Sequence, residues 1–306
     1  MASLFKRTGR GPILTADDLP FHAAAVLNPG VTEQDGEVVM LVRVEYTTGR
    51  SNIHVARSRN GVDQWRIETE PILRHGEERW PYESWGCEDA RVTYLEEHEA
   101  WYIIYTAASA LGPAVALARS RDLASLERIG LIFAPNNKDA VLLPRRCRGR
   151  YAVLHRPDAG GIEHIWSAYS TDLIHWGEPH CVVQEGVGPA WDAKKIGAGP
   201  PPILTDRGWL TIYHGVKVYG GRFLYRAGIA VLDRDAPHKL VQRCPQWVFQ
   251  AHEPYELSGL VPGVIFPSGM LQRGDELWMY YGAADTYIGL AIARLPDVLA
   301  LLDEGS

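Results

Sequence analysis

The stretches IHVARSRNG (53–61), AVALARSRD (114–122), IWSAYSTDL (165–173), RAGIAVLDRD (226–235) and YIGLAIARLPD (287–297) decide the fold. Each is a short apolar strand that closes on a turn. Each follows another apolar strand with a polar or charged end: VVMLVRVEY (38–46), WYIIYTAAS (101–109), RYAVLHRP (150–157), WLTIYHGV (209–216) and LWMYYGAAD (277–285). A further strand precedes each pair: GVTEQDG (30–36), ARVTYLE (90–96), AVLLPRR (140–146), PPILTDRG (201–208) and IFPSGMLQRG (265–274). Outer segments such as RIETEPIL (66–73) or HCVVQEG (180–186) can supply a fourth. The unit recurs every roughly 50–65 residues, and a repeat of that size made of strands points to a propeller. The expectation is an all-β chain. It is read as a five-bladed β-propeller, one catalytic domain over residues 1–306, with a short C-terminal helix in PDVLALLDEG (296–305).

Bulk properties narrow the function. The 306 residues are 46% hydrophobic, enough for a large core, and no linker divides them. A net charge of −6 with 31 basic residues argues against a nucleic-acid or anionic-membrane surface as the main role. No apolar run reaches the roughly 18 residues of a membrane span. The first residues, MASLFKRTGRGPIL (1–14), lack the apolar core of a secretory signal, so the expected location is cytoplasmic. Cys87, Cys147, Cys181 and Cys244 show neither CxxC pairing nor metal spacing and are expected to be reduced thiols. Ten Trp and fourteen Tyr suit stacked cores and also flat platforms for sugar rings.

In a propeller the first strand of each unit lines the central channel. The residues just before it then face an axial pocket: Asn28, Glu88 and Asp89, Lys138 and Asp139, Lys195, and Pro262. In GCEDARV (86–92), strand alternation sends Glu88 and Asp89 to opposite sides. One faces the pocket while the other pairs with Arg91 or a neighbouring blade. A carboxylic acid on the axis suits general-acid cleavage of a glycosidic bond; the plain alternative is a structural ion pair between blades.

The third and fourth units bring basic groups to the same end. These are Lys138, Arg156 in LHRP, Lys195, His214 in YHG, and Tyr225. Arg offers a fork and Lys a point charge, as phosphate requires. The alternative is that they neutralise Glu88, Asp89, Asp139 and Asp192. Asp285, which ends the second strand of the fifth unit, can accept hydrogen bonds from sugar hydroxyls or simply form a turn. Arg43 and Arg50 are similar candidates, with the short polar side chains of Ser51 and Asn52 beside them. There is no Walker A loop, HExxH, GxSxG or dinucleotide-binding glycine loop.

These segments resemble glycoside hydrolase family 130. The resemblance runs from NPGV (28–31) to GAADTYIGLA (282–291). It is carried by GCEDARV (86–92), KDAVLLP (138–144), LHRP (154–157), KIGAGPPPI (195–203), GWLTIYHGV (208–216) and YYGAADT (280–286). It implies a five-bladed propeller acting on β-mannosides, in most members an inverting phosphorylase that releases α-mannose 1-phosphate. Asp89 corresponds to the family's proton donor, thought to act through a mannose hydroxyl. Arg156, Lys195 and Tyr225 correspond to phosphate ligands, with Lys138 a further basic position and His214 a site histidine. Arg50 and Asp285 match positions that contact the mannosyl unit, and Asn28, Arg43, Ser51, Glu88 and Asp139 are candidate substrate contacts beside them. Two departures stand out: EDAR where EDPR is commoner, and Lys138-Asp139 where Arg-Asn is more familiar.

The expected reaction is phosphorolysis of a β-1,2- or β-1,4-linked manno-oligosaccharide. Inorganic phosphate is the co-substrate, and no metal or organic cofactor is implied. An inverting hydrolase would need a second carboxylate to activate water. Glu83, Asp139 and Asp192 are the candidates for that base. A third reading is a sugar-binding propeller without catalysis. Acceptor choice is expected to depend on loops 75–85 and 217–224, and a homo-oligomer that completes the site is left open.

Overall fold

The computed structural model describes residues 4–304. Strands dominate it, and they run in five antiparallel groups. The first holds Ala25–Gln34, Glu37–Glu45 and Ser51–Ser58, with Arg66–Ile67 at its outer edge. The second holds Gly86–Leu95, Ala100–Ser109, Gly112–Ser120 and Glu127–Phe133. One parallel pair, Ser51 with Gly86, joins these two into an eight-stranded sheet. The third group holds Asn137–Leu142, Tyr151–Pro157, Ile165–Ser170 and Gly177–Val183. In the fourth, Lys195–Ala198 and Ile203–Thr205 both pair with Gly208–Tyr219, which is followed by Arg222–Leu232 and the short strands Leu240–Arg243 and Phe249–Gln250. The fifth holds Ile265–Arg273, Glu276–Ala283 and Tyr287–Arg294, completed by Lys6–Arg7 from the other end of the chain.

The polar closures of four of the five quoted strands have a shared cause. Asn60 Oδ1 accepts the amides of Val62 and Asp63. Asp122 Oδ1 does the same for Ala124 and Ser125, Asp172 for Ile174 and His175, and Asp233 for Asp235 and Ala236. A short acceptor that captures its own following backbone ends the strand and turns the chain. In three of them a serine two residues earlier helps: Ser58, Ser120 and Ser170 accept an amide from the same turn.

Hydrophobic packing falls between successive groups. Leu41 and Ile53 meet Val92 and Ile103; Ile104 and Leu117 meet Leu142 and Val153; Leu154 and Ile165 meet Ile196 and Trp209; Ile212 and Ile229 meet Ile265 and Met279; and Tyr280 and Ile288 of the fifth group meet Val26 and Val42 of the first. Both faces of the middle strands are therefore covered. That is why Val38–Val42 is apolar at every position rather than alternating. The C-terminal helix is Leu295–Glu304, which buries Val298 and Leu302 against Leu277 and Ile229. Gly305, which closes the helix expected from the sequence, lies outside the described residues.

The first strands begin earlier than the sequence reading placed them. Asn28, Asp89 and Asp139 lie within strands Ala25–Gln34, Gly86–Leu95 and Asn137–Leu142, not before them. The reason is a register break in each, between Leu27 and Gly30, Glu88 and Arg91, and Lys138 and Val141. The apolar pattern restarts after each break and looks like a strand start. In the fifth group the matching break spans Pro267 to Gly269, so Ser268 holds that place; Pro262 is exposed in the preceding loop.

Candidate functional site at the strand mouths

Asn28, Asp89 and Asp139 share one backbone device. Each sits in its bulge at positive φ, 46°, 50° and 51°. Asn and Asp tolerate this left-handed region better than other side-chain-bearing residues. A bulge re-aims the side chain it carries. It also undoes the alternation expected for GCEDARV. Glu88 and Asp89 do not diverge: both reach Arg43 Nη1, through Glu88 Oε2 at 3.2 Å and Asp89 Oδ1 at 3.4 Å. Nor does either carboxylate pair with Arg91. That guanidinium is fully buried and donates to the carbonyls of Gly199 (2.9 Å) and Asp89 (3.0 Å), tying the second group to the fourth beneath the mouth.

One half of the site is acidic. Asp89 is buried, and its Oδ1 accepts a hydrogen bond from Asn28 Nδ2 at 2.8 Å. Arg43 also donates from Nε to Ser51 Oγ (3.0 Å) and from Nη2 to Glu45 Oε2 (3.0 Å). Burial alone would lower the pKa of Arg43; the carboxylates of Asp89, Glu88 and Glu45 raise it instead. Burial raises Glu88, against the pull of Arg43. Asp285 stands in the turn after Glu276–Ala283 with φ 48°. Burial, then the charge of Asp89, pushes its carboxyl up to about 6, against Arg43 and Lys138. Three carboxylates, those of Glu45, Glu88 and Asp89, thus share one arginine.

The other half is cationic and more tightly paired. Arg156 Nη1 meets Asp139 Oδ2 at 2.6 Å, and Arg156 Nη2 meets Glu163 Oε2 at 2.9 Å. His214 Nε2 lies 3.4 Å from the same Asp139 oxygen, with its ring against Phe266 at 4.7 Å. Burial pushes His214 down to about 3, so the imidazole is neutral across the working pH range. Burial would raise Asp139, but Arg156, His214 and Lys138 hold it well below the usual carboxylate range. Lys195 is lowered by burial and then by Arg156; its Nζ lies 5.7 Å from the centre of the Tyr225 ring. Burial and then Asp285 push Tyr225 up to about 12, which keeps its hydroxyl protonated. Lys138 stands opposite Arg156 in the strand ladder. The tight fit here needs Gly197: a Cβ there would lie 2.4 Å from both Asp139 Oδ2 and His214 Cε1.

The expected residues divide accordingly. Asn28, Arg43, Ser51, Glu88 and Asp89 form one connected set, which Asp285 joins through their shared field. Asp139, Arg156 and His214 form another, with Lys138, Lys195 and Tyr225 around it. Arg50 is not tied to either by a hydrogen bond; it lies at the rim over the Trp85 ring, 5.8 Å away. The three candidate hydrolytic bases are all engaged. Glu83 binds Arg128 Nε (3.1 Å) and Tyr105 (2.6 Å), Asp192 pairs with Arg243, and Asp139 with Arg156. Sequence reading missed Glu45, Glu163 and Phe266. Glu45 had the only available signal, two residues beyond Arg43 on the same strand. A cavity of about 190 Å³ lined by Ser58, Arg59, Asn60, Asp63, Gln64 and Arg66 lies at the opposite strand ends, among the turns. Among the described residues no group of three His, Cys, Asp or Glu could hold a metal, and no helix is long and apolar enough to cross a membrane.

An all-β chain with carboxylates and cations gathered at strand mouths is the pattern of a sugar-processing class. The chain belongs to glycoside hydrolase family 130: the family model described as beta-1,4-mannooligosaccharide phosphorylase matches residues 8–304. It is 35% identical over 261 residues to a beta-1,2-mannobiose phosphorylase of Listeria innocua, covering 84% of this chain and 70% of the relative. It is 31% identical over 306 residues to a beta-1,4-mannooligosaccharide phosphorylase of Ruminococcus albus, covering 96% and 89%. Among solved structures, the Listeria innocua beta-1,2-mannobiose phosphorylase in complex with beta-1,2-mannobiose superposes with a TM-score of 0.90 at 29% identity, over 98% of this chain and 99% of that one.

Proposed function

We propose that this chain is an inverting β-mannoside phosphorylase. It cleaves a terminal β-1,2- or β-1,4-mannosidic bond of a manno-oligosaccharide with inorganic phosphate and releases α-mannose 1-phosphate, reversibly, in the cytoplasm. The observation that carries the reading is the division of the site. Buried Asp89, held by Asn28 and sharing Arg43 with Glu88 and Glu45, sits beside a cluster of cations, and each of the three candidate bases, Glu83, Asp139 and Asp192, has an arginine of its own. Phosphate is already a competent nucleophile and needs a cationic cradle rather than a base. The names of the relatives support the same reading.

In this mechanism Asp89 is the proton donor. Its proton reaches the leaving oxygen, through a mannose hydroxyl, as the glycosidic C–O bond breaks. A phosphate oxygen forms the new bond to the anomeric carbon from the opposite face. Arg156, Lys195, Lys138, the Tyr225 hydroxyl and neutral His214 hold the phosphate. Asn28, Arg43, Ser51, Glu88 and Asp285 orient the mannosyl unit, with Arg50 at the rim and Asp139 acting behind Arg156. Inorganic phosphate is the only co-substrate in this scheme.

The architecture that would converge these groups is a single five-bladed propeller over residues 1–306. Its support is the cyclic packing: five hydrophobic layers each join consecutive groups, the last joins fifth to first, and Lys6–Arg7 adds to the final sheet.

The test is product analysis with β-1,2- and β-1,4-mannobiose, with and without inorganic phosphate. Mannose 1-phosphate formed only with phosphate is the expected result, and the disaccharide consumed gives the linkage. Free mannose at equal rates in both conditions would make the chain a hydrolase instead.

A further inference from the structure

Every phosphate ligand proposed above must be available when phosphate arrives, and Arg156 is not. Its Nη1 is held by Asp139 and its Nη2 by Glu163, while Nε is buried without a hydrogen-bond partner. A guanidinium grips phosphate through two parallel N–H donors. With Nη1 and Nη2 each already facing a carboxylate, a parallel grip on phosphate competes with one of the two.

The two carboxylates differ in how firmly they are placed. Asp139 is fixed by its bulge, wedged against Gly197 and His214, and fully buried. Glu163 is on the loop between strands Tyr151–Pro157 and Ile165–Ser170, with its side chain 13% exposed. That loop passes through Gly160 and Gly161 at φ 72° and 90°, where an added Cβ would meet nothing within 4 Å. The Glu163 backbone is anchored, since its carbonyl accepts the Ile196 amide at 3.1 Å, which places it against the strand that carries Lys195. Its charge is felt by Lys195 and Tyr225 as well as Arg156. A single carboxylate thus pairs with one of the groups assigned to phosphate and lies in the field of two more.

We infer that Glu163 is an internal stand-in for phosphate, holding the empty cradle in shape and swinging out of it when inorganic phosphate binds. This rests on the phosphorylase reading of the site. A binding-competent state that is only partly populated weakens the apparent affinity in proportion. Glu163 therefore sets the phosphate affinity without touching the reacting atoms. It is a positioning residue that competes with the co-substrate.

The experiment is calorimetric titration of the full-length enzyme with inorganic phosphate, for the wild type and for Glu163→Gln, Glu163→Ala and Lys195→Ala, together with KM for phosphate and for the disaccharide. Both Glu163 variants are expected to bind phosphate more tightly, on the order of tenfold, as the competing state is removed. Their disaccharide KM should be little changed. A purely structural Glu163 could not produce tighter binding, so weaker or unchanged phosphate binding in both variants overturns the inference. The Lys195→Ala arm separates the two readings. If it loses phosphate while the Glu163 variants gain nothing, the cradle stands and the stand-in role fails. If the wild type binds no phosphate, the phosphorylase reading fails with it.

Discussion

Asp89 and Asp139 occupy the same place on the first strands of consecutive groups, in equivalent bulges, at φ 50° and 51°. Their chemistry is opposite. Asp89 accepts a hydrogen bond from a neutral amide, Asn28, and shares Arg43 at 3.4 Å with two other carboxylates. Asp139 is clamped to Arg156 at 2.6 Å beside His214 and is held firmly ionised. The repeat supplies the backbone and aims the side chain. What stands opposite differs: Asn28 of the preceding unit for Asp89, and Arg156 of its own unit with His214 of the next for Asp139. The neighbour from the first unit is an amide; the one from the fourth is an imidazole over a glycine.

The sharpest test of this contrast is to remove the charge at each position. Asp89→Asn is expected to lower kcat by about a thousandfold, the scale of a general acid, with far-UV circular dichroism and Tm near wild type. Full activity would end the assignment of Asp89. Asp139→Asn is expected to do the reverse. Breaking a buried ion pair costs about 3 kcal/mol, read as a lowered midpoint in urea, while kcat stays within about tenfold because no step draws on its proton. A stable Asp139→Asn enzyme that has lost turnover would give Asp139 the chemical role instead. Lys195→Ala probes the cationic half alone. Losing one charge-assisted contact of about 2 kcal/mol raises KM for phosphate about thirtyfold. The disaccharide KM should move much less; equal changes in both would put Lys195 on the sugar or on the fold.

Much of this contrast was legible in the sequence, and the missing part has a physical reason. The strand pairs and their turns were plain, because apolar runs ending in Asn or Asp carry their own punctuation. The polar residues at the strand mouths followed from the repeat. The bulges did not, since an inserted residue leaves the composition of a strand unchanged. That single omission misplaced the strand starts and sent Glu88 and Asp89 to opposite faces. Glu163 was invisible for a different reason: it sits in an irregular loop, outside every repeated position, and meets Arg156 only in three dimensions. The strand Lys6–Arg7 was missed because two residues carry no period.

The acidic half makes one further, smaller prediction, through Asp285. Its folded pKa of about 6 lies above the ordinary aspartate value, from burial and the nearby charge of Asp89. For an acid with a raised folded pKa, ionisation opposes folding. The penalty is absent below the unfolded pKa near 4 and complete above about 6. Asp285→Asn should therefore stabilise the protein by at most about 3 kcal/mol at pH 8 and by almost nothing at pH 4, which paired melts at the two pH values would show. The same ionisation should govern sugar binding. Ionised Asp285 is a full hydrogen-bond acceptor for a mannosyl hydroxyl, so the wild-type disaccharide KM should rise as pH falls through about 6. In Asp285→Asn that limb should vanish, leaving a uniformly weaker sugar KM. If the limb persists, the titrating group is Glu88, which burial also raises and which shares Arg43 with Asp89.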